Sequence, residues 1–180
     1  MKQFTSHLLS SLPYLFIFAL LAISPSFSAF AWTNAIVQSV LFLLVVIVPA
    51  IKTKRMSYVD IGWPLGLVLI GVQVLIFTPD LTWRSGIIAA LYLFVGGRMS
   101  AMALIGWRMG GLDRELPRYQ YQRLRWAQHH WRETPAMLYE VASQGIANMS
   151  LLALPAMIQA AVQAAIEVDR WVAKGEAEGE

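Results

Sequence analysis

The sequence predicts an all-α, polytopic transmembrane helical bundle of about five spans, and three observations carry that prediction. The chain of 180 residues is 57% hydrophobic and only 14% charged, whereas a soluble domain carries about 25% charge. Its apolar runs are each near the roughly 20 residues that a spanning helix needs. None shows the alternation of a membrane barrel strand, and in lipid each backbone polar group must pair within its own segment. There is room for one bundle and none for a separate soluble domain of ordinary size. Cysteine is absent, which excludes disulfides, thiolate metal sites and cysteine nucleophiles together.

The first apolar run covers about Leu8 to Ile23 and the second about Ala35 to Ile51, ended by Pro49 and the Lys52-Thr53-Lys54-Arg55 run. The third covers about Ile61 to Phe77, followed by the turn-forming Thr78-Pro79-Asp80, and the fourth about Gly86 to Gly106. The fifth, about Ala136 to Ile166, is too long for one straight span, and Pro155 marks a kink or break. The bundle is thus expected over 1–166, with a basic, aromatic cytoplasmic connection at 107–134 and a polar, disordered tail at 167–180. Lys2 with the small residues Ala29 and Ala31 also fits a cleaved signal peptide, although Phe27 and Phe30 make a bulky approach to any cleavage point.

Orientation follows from the Lys/Arg bias of the short loops. Lys2, the Lys52/Lys54/Arg55 run and the Arg108 to Arg132 connection fall on one side of alternating spans. The Ser24 to Asn34 and Thr78 to Trp83 loops carry almost no charge and suit the other. The expected placement is the cytoplasmic (inner) membrane, with the N-terminus cytoplasmic.

Ionisable residues at membrane depth are expensive and mark functional positions. Asp60 opens the third span, Arg98 lies about seven residues, or about 10 Å, inside the fourth, and Glu140 lies about one turn into the fifth. All three fall in the same third of neighbouring helices. An Asp60–Arg98 or Arg98–Glu140 pair would lower the cost of burial, and a cavity there could receive an anionic group. The competing reading is snorkelling plus one structural ion pair. Gln144 and Asn148 follow Glu140 at i+4 and i+8 and share its helix face, either lining that cavity or gluing helices together. Gly62/Gly66 and Gly106/Gly110 have the spacing of close helix approach, and Gly96-Gly97 precede Arg98. No dinucleotide or Walker phosphate loop pattern exists.

The connection from Trp107 to Thr134 interleaves Arg108, Arg114, Arg118, Arg123, Arg125 and Arg132 with Tyr119, Tyr121, Trp126 and Trp131. Pro117 is placed to start a helix to about Trp131. Arginines on phosphates and rings at the interface suit the lipid headgroup layer. Nucleic-acid binding uses the same residue types, but attachment to a membrane argues against it. His129-His130, with no carboxylate at matching spacing, makes a weak metal signal, and no metal site is expected.

From Asp60 to about Pro155 the chain resembles a bacterial family of uncharacterised membrane proteins related to the steroid 5-alpha-reductase C-terminal superfamily. The matching elements are Tyr58-Val59-Asp60-Ile61-Gly62-Trp63-Pro64-Leu65-Gly66, then Gly97-Arg98, then Glu115-Leu116-Pro117-Arg118-Tyr119 with Arg123 and Trp126, and the stretch from Gln144 to Pro155. The resemblance implies NADPH or NADH held at the cytosolic side of a bundle and hydride delivered to the double bond of a lipophilic small-molecule substrate. It implies that Asp60 and Arg98 line that cavity and that Arg118 and Tyr119 support its cytosolic rim. With the membrane-depth reading added, the enzyme hypothesis expects Asp60 or Glu140 as the catalytic carboxylate that positions or protonates the substrate, and Arg98, Arg118 and Tyr119 as cofactor-binding residues. The superfamily's further Arg/His/Pro/Asn/Tyr region has no counterpart in Ala156 to Glu180, so the expectation is a truncated product, or a short paralogue that has lost catalysis, which does not reduce anything alone. The alternative class is a non-catalytic multi-pass protein that recognises membrane lipids; a transporter subunit using the charges as a relay lacks the inverted repeat such folds show.

Overall fold

The computed structural model describes residues 2–78 and 80–178, with side chains over 12–78 and 80–174. It is helical throughout, with no strand among the described residues. Helix α1 (Lys2–Ile23) is separated from α2 (Pro25–Leu41) by Ser24 alone. Ser24 is extended (φ −76°, ψ 123°) and Pro25 follows at the first helical positions, where its missing N–H costs nothing. The expected Ser24 to Asn34 loop is therefore mostly helix, because Pro25 starts the turn and the residues after it are apolar. Phe30 and Ala31 are buried in the core, and Phe30 lies 5.1 Å from the Phe77 ring, so the stretch that a signal-peptide reading would cut is packed inside the bundle.

Helix α2 runs through a π-helical segment, Phe42–Ile47, into α3 (Val48–Thr53). Pro49 has no N–H and its ring crowds the carbonyl four residues earlier. Widening the helix at this point relieves that conflict, and the Val48 N–H bonds to the Leu43 carbonyl. The chain leaves α3 through Lys54 in the left-handed region (φ 57°) and turns into α4 (Val59–Phe77). Helix α5 (Trp83–Arg108) starts on a capping box between Thr82 and Ser85, and ends at Gly110 (φ 79°), with the Gly111 N–H on the Gly106 carbonyl at 2.8 Å. Helix α6 (Pro117–Gln128) starts at Pro117 as its sequence predicts.

The long fifth apolar segment is two helices, α7 (Glu133–Met149) and α8 (Leu154–Glu178), joined by a 3-10 turn at Leu151–Ala153. The break falls at Ser150, ahead of Pro155. Helix α8 continues to Glu178 through a stretch rich in alanine, glutamate and lysine, which are strong helix formers, and Arg170 pairs with Asp80 at 2.6 Å. Gly179, Glu180 and the Pro79 of the predicted turn lie outside the described residues. Four helical stretches are long and apolar enough to cross a membrane, namely Pro25–Thr53, Val59–Phe77, Trp83–Arg108 and Glu133–Lys174, with a shorter apolar helix at Leu12–Ile23.

Helix α4 is the centre of the bundle, in contact with α2, α5, α7 and α8. One apolar cluster around Phe30, Ile70, Val74 and Met157 fills the far end. A second, around Phe42, Met56, Trp126, Met137 and Val141, fills the end where α4 begins. A buried amide cluster lies between α2, α4 and α7. Asn34 Nδ2 donates to the Asn148 carbonyl (3.2 Å), Gln38 Nε2 to Asn34 Oδ1 (3.2 Å) and to the Gly66 carbonyl (3.0 Å). Gln73 Nε2 donates to Asn34 Oδ1 (3.2 Å), and Asn148 Nδ2 to the Trp63 carbonyl (3.1 Å). Away from water such amides must find partners within the protein, so the cluster fixes the rotation of three helices at once.

Glycine makes this approach feasible at particular places. A Cβ on Gly66 would lie 2.1 Å from Asn148 Nδ2, one on Gly62 would lie 2.2 Å from Val46, and one on Gly96 would lie 2.8 Å from the Val68 nitrogen. Gly97 and Gly106 face open space, so the expected packing role holds for Gly62, Gly66 and Gly96 and fails for those two. Gly66→Ala should destabilise the purified protein by about 1–3 kcal/mol through overpacking, read as a lowered thermal midpoint in detergent. Gly97→Ala should leave the midpoint unchanged or raise it.

Candidate functional site

The α4 N-terminus is held by a carboxylate from the α5–α6 connection. Glu115 accepts from the Met56 N–H (2.9 Å to Oε2), the Ser57 N–H (3.1 Å) and the Ser57 hydroxyl (2.6 Å). It also pairs with Arg123 at 2.9 Å. The Ser57 hydroxyl in turn accepts from the Leu116 N–H (3.1 Å). Anionic oxygen at a helix N-terminus meets both unpaired amides and the positive end of the helix dipole. Arg55 adds a bond to the Leu112 carbonyl (2.7 Å), Arg123 one to the Lys54 carbonyl, and Arg123 also pairs with Glu133. The basic run after α3 and the basic connection after α5 therefore meet at one end of the bundle.

This clasp lays α6 across the start of α4. The inner face of α6 carries Tyr119, Gln122, Arg123 and Trp126 at helical spacing, with Trp126 buried in the core. Tyr119 donates to Asp60 Oδ1 at 3.0 Å, Arg118 forms an ion pair with the same oxygen, and Arg118 Nη2 donates to the Tyr119 hydroxyl at 3.1 Å. Burial pushes the Tyr119 phenol above its ordinary value. Arg118 works against that shift, and Glu115 and Glu140 reinforce it.

These groups open into a cavity of about 680 Å³ between α4, α5 and α6. Asp60, Arg118 and Tyr119 stand on one side, Arg98 with Met99 and Met102 on the α5 wall, and Trp63 and Gln144 are also among the lining residues. Four of the five residues singled out in the sequence thus share one cavity. The expected pairing differs: Asp60 pairs with Arg118, and Arg98 has no ion-pair partner among the described residues. Arg118 reaches Asp60 from the connection, whereas Arg98 sits exposed on a helix that packs chiefly on α4. Glu140 is outside the lining and accepts from Gln122 Nε2 at 3.1 Å, tying α7 to α6. The polar stripe of α7 is accordingly divided: Glu140 joins helices, Gln144 faces the cavity, and Asn148 lies in the amide cluster.

Among the described residues no three His, Asp or Glu side chains gather as a metal site. His129 lies 6.1 Å from the Trp131 ring in the turn between α6 and α7. Sequence reasoning left Glu115 and Ser57 without a role. The signal was present: a carboxylate inside a basic segment, two residues before the proline that starts a helix.

The chain matches a protein-family model over residues 46–175, that of a protein of unknown function, DUF1295. The match covers well over half of the chain, and the protein belongs to this family. It extends on both sides of the Asp60 to Pro155 stretch that carries the sequence resemblance. No curated protein and no solved structure matches.

Glu115→Ala should lower the thermal midpoint far more than Asp80→Ala. The first strips a nearly buried cluster of donors, where each hydrogen bond to a charged group contributes about 1.5–3 kcal/mol. The second breaks an exposed pair of about 0–1 kcal/mol. The raised phenol of Tyr119 favours the folded state fully below the ordinary tyrosine value of 10.0, and this contribution is lost as the pH rises through the folded value. Tyr119→Phe should therefore flatten the alkaline limb of a stability–pH profile, recorded by thermal unfolding in detergent.

Proposed function

We propose that the chain is a membrane-embedded relative of the steroid 5-alpha-reductase-like oxidoreductases, in which the cavity holds the polar end of a lipid-like substrate beside a reduced nicotinamide cofactor. The supporting observation is the composition of that one cavity: a carboxylate, a phenol and two guanidiniums share it with Trp63, Met99 and Met102. A few placed polar groups in a mainly apolar concavity are the usual make-up of a small-molecule site. The positive-inside rule assigns the end with the Lys52–Arg55 run and the α6 connection to the cytoplasmic face, where a soluble cofactor is available.

The residues present fit a phosphate-bearing cofactor of the NADPH type. Arg118 and Tyr119 stand at the rim, and Arg98 lines the cavity from α5 with no carboxylate among the described residues paired to its guanidinium. Guanidinium forks suit phosphate oxygens. Such a cofactor supplies a hydride when bound. Asp60 orients the Tyr119 hydroxyl and the Arg118 head through the bonds described above. On this reading the Tyr119 hydroxyl, whose one proton lies toward Asp60, turns that proton to a developing negative charge on the substrate when substrate is bound. Glu140 acts at one remove, by holding Gln122 and hence α6, and is a positioning residue.

A second reading, a non-catalytic membrane protein that recognises a lipid headgroup, is favoured by one feature. The α5 wall is largely bare of protein, and Arg98 is exposed on it, so a headgroup can reach the cavity sideways.

Titration of the detergent-purified chain with reduced nicotinamide cofactor separates the two. The reductase reading expects saturable binding, weakened about tenfold or more, or about 1.4 kcal/mol, by Arg118→Gln. No binding at millimolar cofactor by a chain with intact helical circular dichroism would remove it and leave the lipid-binding one.

A further inference from the structure

A second cavity, about 270 Å³, lies between α4, α5 and α8 and is lined by Leu67, Ile88, Leu91, Tyr92, Val95 and Pro155. Its one polar side-chain group, the Tyr92 hydroxyl, already donates to the Leu152 carbonyl at 2.5 Å. That carbonyl is available because the helix is interrupted there and Pro155 brings no N–H. The crevice thus offers nothing to a polar group and suits hydrocarbon alone.

The crevice and the charged cavity follow each other along one side of the α4–α5 pair. On α5, Ile88, Leu91/Tyr92 and Val95 are continued at the same three- and four-residue spacing by Arg98/Met99 and Met102/Ala103 of the larger cavity. Residues so spaced share one helix face. On α4, Leu67 of the crevice lies one turn beyond Trp63 and Pro64 of the cavity. The track from Met102 to Ile88 is about 21 Å long at the helical rise. Arg98 stands at the boundary, exposed and without an ion-pair partner among the described residues, and Leu91 and Val95 leave the crevice open sideways.

We propose that this track binds a single-chain lipid with an anionic head, the head on Arg98 and the hydrocarbon chain running from Val95 toward Ile88. The occupant follows from complementarity: an unpaired cation at one end, a purely apolar crevice at the other, and room below the usual range of about 300–1,000 Å³ for ligand pockets, which suits one chain rather than two. As an assignment of substrate class it rests on the reductase reading and refines it: Arg98 is given to the substrate head in place of the cofactor phosphate, which is left to Arg118 and Tyr119 at the rim. As a binding site it stands on the two cavities alone.

The test uses the full chain in phospholipid nanodiscs, labelled with a long-chain fatty acid carrying a mid-chain photoreactive diazirine, and with the alcohol of the same chain as control. The acid should label the crevice face of α5, at Leu91, Tyr92 and Val95. Val95→Trp, which fills the crevice, should abolish that labelling. Arg98→Gln should lower labelling by the acid about tenfold and leave labelling by the alcohol unchanged. Equal labelling of Ile87 and Phe94, on the outward side of α5, would mean an unselective lipid layer only and overturn the proposal. So would labelling indifferent to both substitutions. Cofactor titration of the native chain keeps the two ideas apart: absent cofactor binding with selective labelling removes the reductase reading and leaves the lipid site. Retained cofactor binding with unselective labelling does the reverse.

Discussion

The Glu115 carboxylate over the turn that opens α4 is the contact on which the site depends. It meets two backbone amides and the Ser57 hydroxyl on one side and the Arg123 guanidinium on the other. The connection's packing reason to lie in one place is Trp126, buried in the apolar cluster at this end of the bundle. Glu115 supplies an electrostatic one, because the turn before α4 presents unpaired donors that no side chain of α4 itself caps. Once α6 is laid down by this contact, Tyr119 and Arg118 reach Asp60, and Gln122 reaches Glu140. Arg98 is then left as a cation of the cavity with no carboxylate partner among the described residues.

Deeper in the bundle the same logic acts through neutral groups. Asn34, Gln38, Gln73 and Asn148 hold α2, α4 and α7 in a fixed rotation, with Gly66 providing the closeness they need. Apolar packing between helices in lipid specifies rotation weakly, since lipid tails are as apolar as leucine. Directional amide bonds specify it strongly. The carboxylate clasp sets the entrance of the cavity, and the amide cluster sets the helices that form its wall. The Trp63 carbonyl, which accepts from Asn148, belongs to a residue that itself lines the cavity.

Much of this was legible in the sequence where one physical rule dominates. The apolar runs give the spans because lipid leaves the backbone no alternative, and Pro117 starts α6 because a fixed φ and a missing N–H suit only a first turn. Cost at membrane depth singled out Asp60 and Arg98, which the fold brings to one cavity with Arg118 and Tyr119. What the sequence hid depends on which distant groups meet. Asp60 chose Arg118 over Arg98 because the clasp brings α6 to it, and Glu115 looked like one acidic residue among many basic ones. Asn34 and Gln38 lie in a stretch read partly as loop, since absence of charge was taken for a connection where Pro25 in fact begins a helix.

The most direct measurement is residue-resolved amide hydrogen exchange of the chain in lipid nanodiscs, read at Met56 and Ser57 in the native protein and in Glu115→Ala. These two amides have no helical acceptor, so the carboxylate is their source of protection. The account predicts slow exchange at both in the native chain, at rates set by opening of the clasp, and loop-like exchange in the variant, with exchange in α6 accelerating at the same time. Fast exchange at Met56 and Ser57 in the native chain would contradict it, and so would protection that survives removal of the carboxylate.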